Sequence, residues 1–446
     1  MTAAAAELTR RGTLTDKIRL DDTIESHREF TMPMLPGDSD ALPTTAGISR
    51  RRFLEAGTSA LGLSMVSPAL VRGAAPNGTV ALGVIGCGGR GTWIADLFQK
   101  HGGYNVVAAA DYFKDRVDAF GEKIGVPAAR RFTGLSAYRR LLEQPVDAVA
   151  IISPPFFHPA QAADAVAAGK HVYLAKPVAV DVPGCTAILQ SGAKATASRL
   201  CFLVDFQTRA NELFVEAVRR VRDGALGRFA FGEATYHAED PFLDKHDLAR
   251  SGGPEDRLRA WGLFRDLSGD IITEQNIHTL DVASWIMGRP PESACGTGGR
   301  MVRDAGTCWD TFSVVYTYPD HVGVTFSSRQ FNGQGTRPEG IRNRMFGSEG
   351  VLETEYGGQV LLRGKHFYRG GETPTIYEQG AVSNIAAFHD AIGRQDYGNL
   401  TVPESVRSTL VTILGRTAAY ENRVVTWDEI VKSDERLVAD LTGLTD

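Results

Sequence analysis

In the stretch VALGVIGCGGRG, Gly86, Gly88 and Gly91 fill the three glycine positions of G-x-G-x-x-G. The spacing suits a pyrophosphate. The first glycine permits a tight turn, the second lets backbone approach the anion, and the third lets a helix pack closely on the preceding strand, its N-terminus facing the phosphates. Gly89 and Arg90 lie in the same turn and are expected among the dinucleotide contacts. About 20 residues on, the run YNVVAAAD ends at Asp111, where a carboxylate can accept the adenosine ribose hydroxyls. A carboxylate there repels a 2′-phosphate and favours NAD, while Lys114 and Arg116 follow closely enough to leave NADP open. Asp111 also stands where it could cap the helix of KDRVDAFGEKIG, a role compatible with holding the ribose. Further on, Glu274 and His278 are four residues apart, which predicts one helix face, so that both can reach one pocket or hydrogen-bond each other. An imidazole near its ordinary pKa is a natural acceptor for a hydroxyl proton.

These groups need a rigid frame. The glycine turn follows the apolar run TVALGVIG and precedes TWIADLFQKH, where Trp93, Ile94, Leu97 and Phe98 recur with helical spacing. The alternation continues through a helix at LSAYRRLLEQ, a buried strand at VDAVAIISPP, a helix at HPAQAADAVAAG and a strand at KHVYLAKP. Strands and helices alternating over short turns predict a doubly wound parallel sheet. Beyond it, RFAFGEATYHAED, TFSVVYTYP and GVTFSSRQFN alternate as strands do, while NELFVEAVRRVRDG and SNIAAFHDAIGR read as amphipathic helices.

The chain has 446 residues, 43% hydrophobic and 23% charged, with a net charge of −5. That composition belongs to a folded protein of about two domains. No basic run interleaved with aromatics suggests nucleic acid, and past the front segment no apolar stretch approaches the ~18 residues of a membrane span. Five scattered cysteines include no C-x-x-C pair, so neither a metal nor a dithiol is expected; they read as small buried hydrophobes, with a Cys295–Cys308 disulfide left open. Residues 1–48 are polar and aperiodic and are expected to be disordered. Residues 49–76 contain SRRRFLEAGTSALGLSMVSPALVRGAAP, in which Arg50 and Arg51 precede Phe53 and Leu54, a weakly hydrophobic stretch and small residues near Gly73 to Ala75. This is the pattern of a twin-arginine signal; the alternative is an arginine-capped amphipathic helix. That route exports folded proteins, so a periplasmic or otherwise exported location, the export machinery as partner and a tightly held nucleotide follow as expectations.

Three stretches resemble one known family. ISPPFFHPAQAADAVAAGKHVYLAKPVA is similar to the T-P-x-x-x-H and E-K-P segment of the Gfo/Idh/MocA oxidoreductases (glucose-fructose oxidoreductase, inositol dehydrogenase, rhizopine catabolism). SGDIITEQNIHTLDVASWIMG resembles their G-G-x-L-x-D-x-G-x-H-x-x-D segment, and VPESVRSTLVTILGRTAAYENRVVTW their closing helix, so the likeness runs from about Thr79 to about Trp427. It implies an α/β fold: a Rossmann domain at 78–200, an α+β substrate and oligomerisation domain on an open, mostly antiparallel sheet at 201–382, and C-terminal helices at 383–446 packing back on the first domain. It implies hydride transfer between a sugar, cyclitol or sugar derivative and NAD(P), and a homodimer or homotetramer.

By the same resemblance, the lysine of E-K-P maps to Lys176, beside nicotinamide and substrate hydroxyl; the histidine maps to His278, and the aspartate four places earlier to Glu274, which would orient it. Ser153, Pro154 and His158 of SPPFFH fall along the cofactor cleft, and Gln207, Arg209, Tyr236 and His237 toward the substrate. Asp281 is expected to anchor its helix. The chain departs from the pattern at Ala175, where the family has glutamate, and at Glu274 and Asn276, which replace aspartate and glycine. Two other readings stay open: a redox-neutral glycosidase of the same fold, and a sugar- or nucleotide-binding protein without turnover.

Overall fold

The computed structural model describes residues 78–446, position 338 apart; the extension expected at 1–48 and the signal at 49–76 lie outside the described residues. Six strands form a parallel sheet: β1 (Val80–Ile85), β2 (Tyr104–Asp111), β3 (Arg131–Thr133), β4 (Ala148–Ile151), β5 (His171–Ala175) and β6 (Phe202–Asp205), in the order β3-β2-β1-β4-β5-β6. The strands are apolar because both faces are covered: β4 is buried along its whole length. The order reverses between β1 and β4, and the carboxyl ends of the strands at such a switch point form a ligand crevice.

Nine strands make the second sheet: β7 (Phe229–Ala238), β8 (Ser293–Gly299), β9 (Thr311–Tyr318), β10 (Val322–Gln330), β11 (Gly340–Gly347), β12 (Gly350–Glu355), β13 (Gln359–Gly364), β14 (Tyr368–Glu372) and β15 (Val425–Thr426). Their order is β14-β13-β12-β11-β7-β10-β9-β8-β15, and all neighbours pair antiparallel except β7 with β10. Among the described residues helices pack on one face, and the other is left open, with Ser313 and Val315 of β9 exposed on it. The helix Ile277–Met287 is buried all round, as a helix between two layers must be, and its sequence IHTLDVASWIM is correspondingly apolar.

A core with Val84, Phe98, Tyr173 and Phe388 fills one side of the parallel sheet, and a larger one runs from its other side to Phe312, Tyr316 and Phe326 of the second sheet. Two boundaries differ from those drawn from sequence. The parallel sheet continues to Asp205, and the helix Ile376–Arg394 straddles position 382, with Ala381, Ile385 and Phe388 in the core of the first domain. Cys87, Cys185, Cys201 and Cys308 are buried and free; Cys295 is free too but exposed on the open sheet face, because its odd position in β8 points away from the helices.

Candidate active site

The glycine turn has the shape its spacing demands. Gly86 has a φ of 94°, and a Cβ there would meet the Ile152 backbone at 2.7 Å; at Gly91 a Cβ would sit 1.8 Å from the Gly86 carbonyl oxygen. Gly88 and Gly89 face open space, so this part of the backbone is bare for an incoming anion at the start of the helix Gly89–His101. At the end of β2, Asp111 accepts hydrogen bonds from the backbone N–H groups of Cys87 (2.7 Å) and Phe113 (2.9 Å). Phe113, not Asp111, holds the N-cap position of the next helix. Burial raises the Asp111 pKa against the pull of those two N–H groups. The cleft here is lined by Gly88, Asp111, Ser153 and Pro154, among others. These residues fit a dinucleotide: bare glycine backbone for the pyrophosphate and a fixed carboxylate for the ribose.

Two segments that no motif in the sequence marks cover this end of the cleft. Leu258 and Trp261 form part of its wall. The arginine between them, Arg259, pairs with Asp115 at 2.8 Å and lies 3.8 Å above the Phe113 ring. Residues 437–446 run behind: the Asp440 carbonyl accepts from Arg257, and the Thr445 carbonyl and Asp446 carboxylate accept from the backbone of Leu135 and Ser136.

At the other end Lys176 follows β5, and its ammonium donates to the Glu274 carboxylate (3.0 Å) and the Glu274 carbonyl oxygen (2.6 Å). Both side chains are nine-tenths buried. Glu274 also accepts from the Gln275 amide, and Gln275 from the Tyr236 hydroxyl at 2.8 Å. His278 is buried, its Nδ1 has no partner among the described residues, and its ring packs 5.4 Å from that of Tyr356. Burial first, then the charges of Lys176 and Arg90, push its pKa well below the ordinary value, so the imidazole is neutral.

Several expectations need correction. Glu274 and His278 do not share a helix face. The Ile271 carbonyl accepts from both Gln275 and Asn276, the ladder slips by one residue, and the helix ending at Glu274 restarts only at Ile277. A slip of one residue turns the following side chains by ~100°. Glu274 therefore serves Lys176 and makes no hydrogen bond to His278. His237 alternates with Tyr236 along β7 and points to the opposite face, where it meets Ser327 at 3.1 Å.

His158 stands behind the cleft wall, its two ring nitrogens 2.8 Å from the carbonyl oxygens of Pro177 and Ser153. Those acceptors favour the proton, but burial prevails and pulls its pKa down to about 4. Its ring ties the turns that follow β4 and β5. Arg209 is taken up by Asp281 (2.8 Å) and Glu404 (3.1 Å), and Asp281 accepts as well from Ser408, which anchors the helix Ile277–Met287.

Arg90 turns from the glycine loop to Asp205, at 2.6 Å, and to the Tyr377 hydroxyl, at 2.7 Å. Its guanidinium also packs against the Trp93 and Tyr377 rings, which stack 4.6 Å apart. Burial works against this charge, and Asp205 with Tyr377 more than offsets it, so its pKa rises. Gln207 is buried and donates to the same Asp205 at 3.1 Å. Asp205, Tyr356 and Tyr377 were not singled out from sequence. Asp205 lies two residues before Gln207, and its partner Arg90 is 115 residues away.

Comparison with known proteins adds to this geometry. Residues 80–201 match the model of an oxidoreductase family with an NAD-binding Rossmann fold, and residues 214–353 match the Gfo/Idh/MocA C-terminal domain. Over 202 residues the chain is 30% identical to a glycosyl hydrolase family 109 protein of Solibacter usitatus, covering 44% of each, so it spans less than half the length of that relative. It is 28% identical over 282 residues to the myo-inositol 2-dehydrogenase of Thermotoga maritima, covering 61% of this chain and 76% of that one. An oxidoreductase domain protein from Kribbella flavida has the same fold, with a TM-score of 0.65 at 20% identity over 78% of this chain and 99% of that chain. The two matched segments take in β1–β5 and β7–β11 and together more than half of the sequence, and the chain belongs to the Gfo/Idh/MocA oxidoreductase family.

Proposed function

We propose that this chain oxidises and reduces a sugar, cyclitol or sugar derivative with NAD held in the cleft. The observation that carries the reading is the Lys176–Glu274 pair next to a neutral His278 with an unpartnered Nδ1. NAD, when bound, supplies the acceptor for the hydride that leaves the carbinol carbon. Lys176 Nζ, fixed by the carbonyl and carboxylate of Glu274, donates to the reacting oxygen. His278 takes the hydroxyl proton at Nδ1, and the carbinol becomes a carbonyl. Tyr236 holds Gln275 and through it Glu274, so the cation stays in place as charge develops on the oxygen.

The wider reading joins this site to the front of the chain. A twin-arginine route would carry the folded protein out with its nucleotide, to a compartment without free cofactor. The cover over the adenosine end supports a slow-leaving NAD, and a second substrate would then have to reverse the redox state. The open face of the second sheet, with Phe231 and Val315 partly exposed, suits pairing with a second copy. A redox-neutral glycosidase is the second reading, resting on the partial likeness to the glycosyl hydrolase family 109 relative.

One preparation tests these readings. Protein purified from the export compartment without added cofactor should release stoichiometric NAD(H) on denaturation, identified by absorbance and mass, and should interconvert paired sugars. Aglycone release with no net reductant consumed would favour the glycosidase. An empty protein that also fails to bind added NAD would overturn both.

A further inference from the structure

We propose that Asp205 sets the substrate class: by closing the charge of Arg90 it makes the pocket one for uncharged polyols and against carboxylated or phosphorylated sugars. The inference rests on the reading of the site as a polyol pocket.

Asp205 ends β6 and pairs in register with Ala175, one residue before Lys176, so the Arg90–Asp205 pair lies beside the Lys176–Glu274 pair. Arg90 is close enough for its charge to act on both His278 and Tyr356. Each of the two cations is already matched by its own carboxylate. Asp205 has no solvent exposure, and besides Arg90 it accepts from Gln207 and from the Asn384 amide at 2.8 Å. An anionic ligand that reached Arg90 would meet a guanidinium whose charge Asp205 already cancels, and drawing the arginine away from Asp205 would leave a buried carboxylate without its cation, which is strongly unfavourable. Among the described residues the groups here that lack partners are neutral ones, Gln207 Oε1, His278 Nδ1, the Asn276 amide and the Tyr356 hydroxyl among them. Hydroxyl groups can answer such donors and acceptors; a carboxylate or phosphate gains nothing from them that water does not give.

The test uses the NAD-loaded full chain with a neutral hexose or inositol, the corresponding uronic acid and the 6-phosphate. Initial rates give kcat/KM for each, and calorimetry gives Kd. The wild type should favour the neutral compound by about 100-fold or more, the scale of a misplaced charge or lost polar match. Asp205→Asn, which releases the guanidinium, should shift the preference toward the acid by about 10-fold in both readouts. The double variant R90Q/D205N should return it to the neutral ligand. Wild-type protein that binds the acid as tightly as the neutral compound would overturn the proposal, as would an Asp205→Asn protein that loses both ligands equally. If Asp205→Asn does not fold, the wild-type preference decides alone. Calorimetry needs no turnover, so tight binding of a neutral polyol without NAD reduction would count against the oxidoreductase reading and leave the role of Asp205 standing.

Discussion

The two ends of the cleft are built in different ways. At the adenosine end, contacts come from backbone: bare glycines, two N–H groups fixing Asp111, and a cover laid over apolar side chains. At the chemical end, charged side chains from four distant segments meet and cancel one another. The first is a shape that fits a dinucleotide; the second is an arrangement of charge that, on the reading proposed above, decides what reacts. Substitutions should separate binding from chemistry according to the end they touch.

Lys176→Ala should have the largest effect, lowering kcat by about 10³-fold or more while NAD affinity, followed by fluorescence titration, changes little. A matching loss of NAD binding would mean that the two ends are not separable. His278→Gln should lower kcat by about 10²-fold and abolish the acid limb of the pH–rate profile. Because the His278 pKa is lowered by burial, Lys176 and Arg90, the base form survives as pH falls past the ordinary value of about 6.5. Wild-type kcat/KM should therefore hold steady from neutrality down through about 6.5 and fall only below it. An acid limb centred above 6.5 would show that another group takes the proton.

Gly91→Ala strikes the opposite end. The new methyl group meets the Gly86 carbonyl oxygen, which is backbone and cannot swing away. Overpacking of this kind costs about 1–3 kcal/mol, so NAD should bind about 10- to 100-fold more weakly, with kcat at saturating NAD nearly kept. Unchanged NAD affinity would remove the glycine turn from the cofactor site.

The same contrast explains what the sequence disclosed. Gly86, Gly88 and Gly91 act through backbone within six residues of one another, so their spacing is their geometry. Arg90 and Asp205 stand 115 residues apart and meet only because β6 lies at the sheet edge beside β5. Spacing carries no trace of that. For Glu274 and His278 spacing misled, since the rule of four assumes an unbroken helix and the ladder slips at Gln275–Asn276. His237 misled differently: its neighbour Tyr236 faces the site, and in a strand that fact sends His237 away from it. The signal segment at 49–76 remains a reading of residues alone.

The cover offers the smallest effect and the finest division between the two ends. Arg259 holds it to the first domain by an ion pair with Asp115 and by its position above Phe113. The Asp115 side chain is 64% exposed, so the pair is screened and the ring contact matters at least as much. Together they are worth about 1 kcal/mol, and Arg259→Ala should release NAD about fivefold faster in a stopped-flow chase, with kcat at saturating NAD unaltered. Arg259→Lys should keep part of the charge term and lose the flat stacking, falling between the two. If both variants release NAD at the wild-type rate, the cover does not govern cofactor residence, and slow release would have to come from the glycine turn and Asp111 alone.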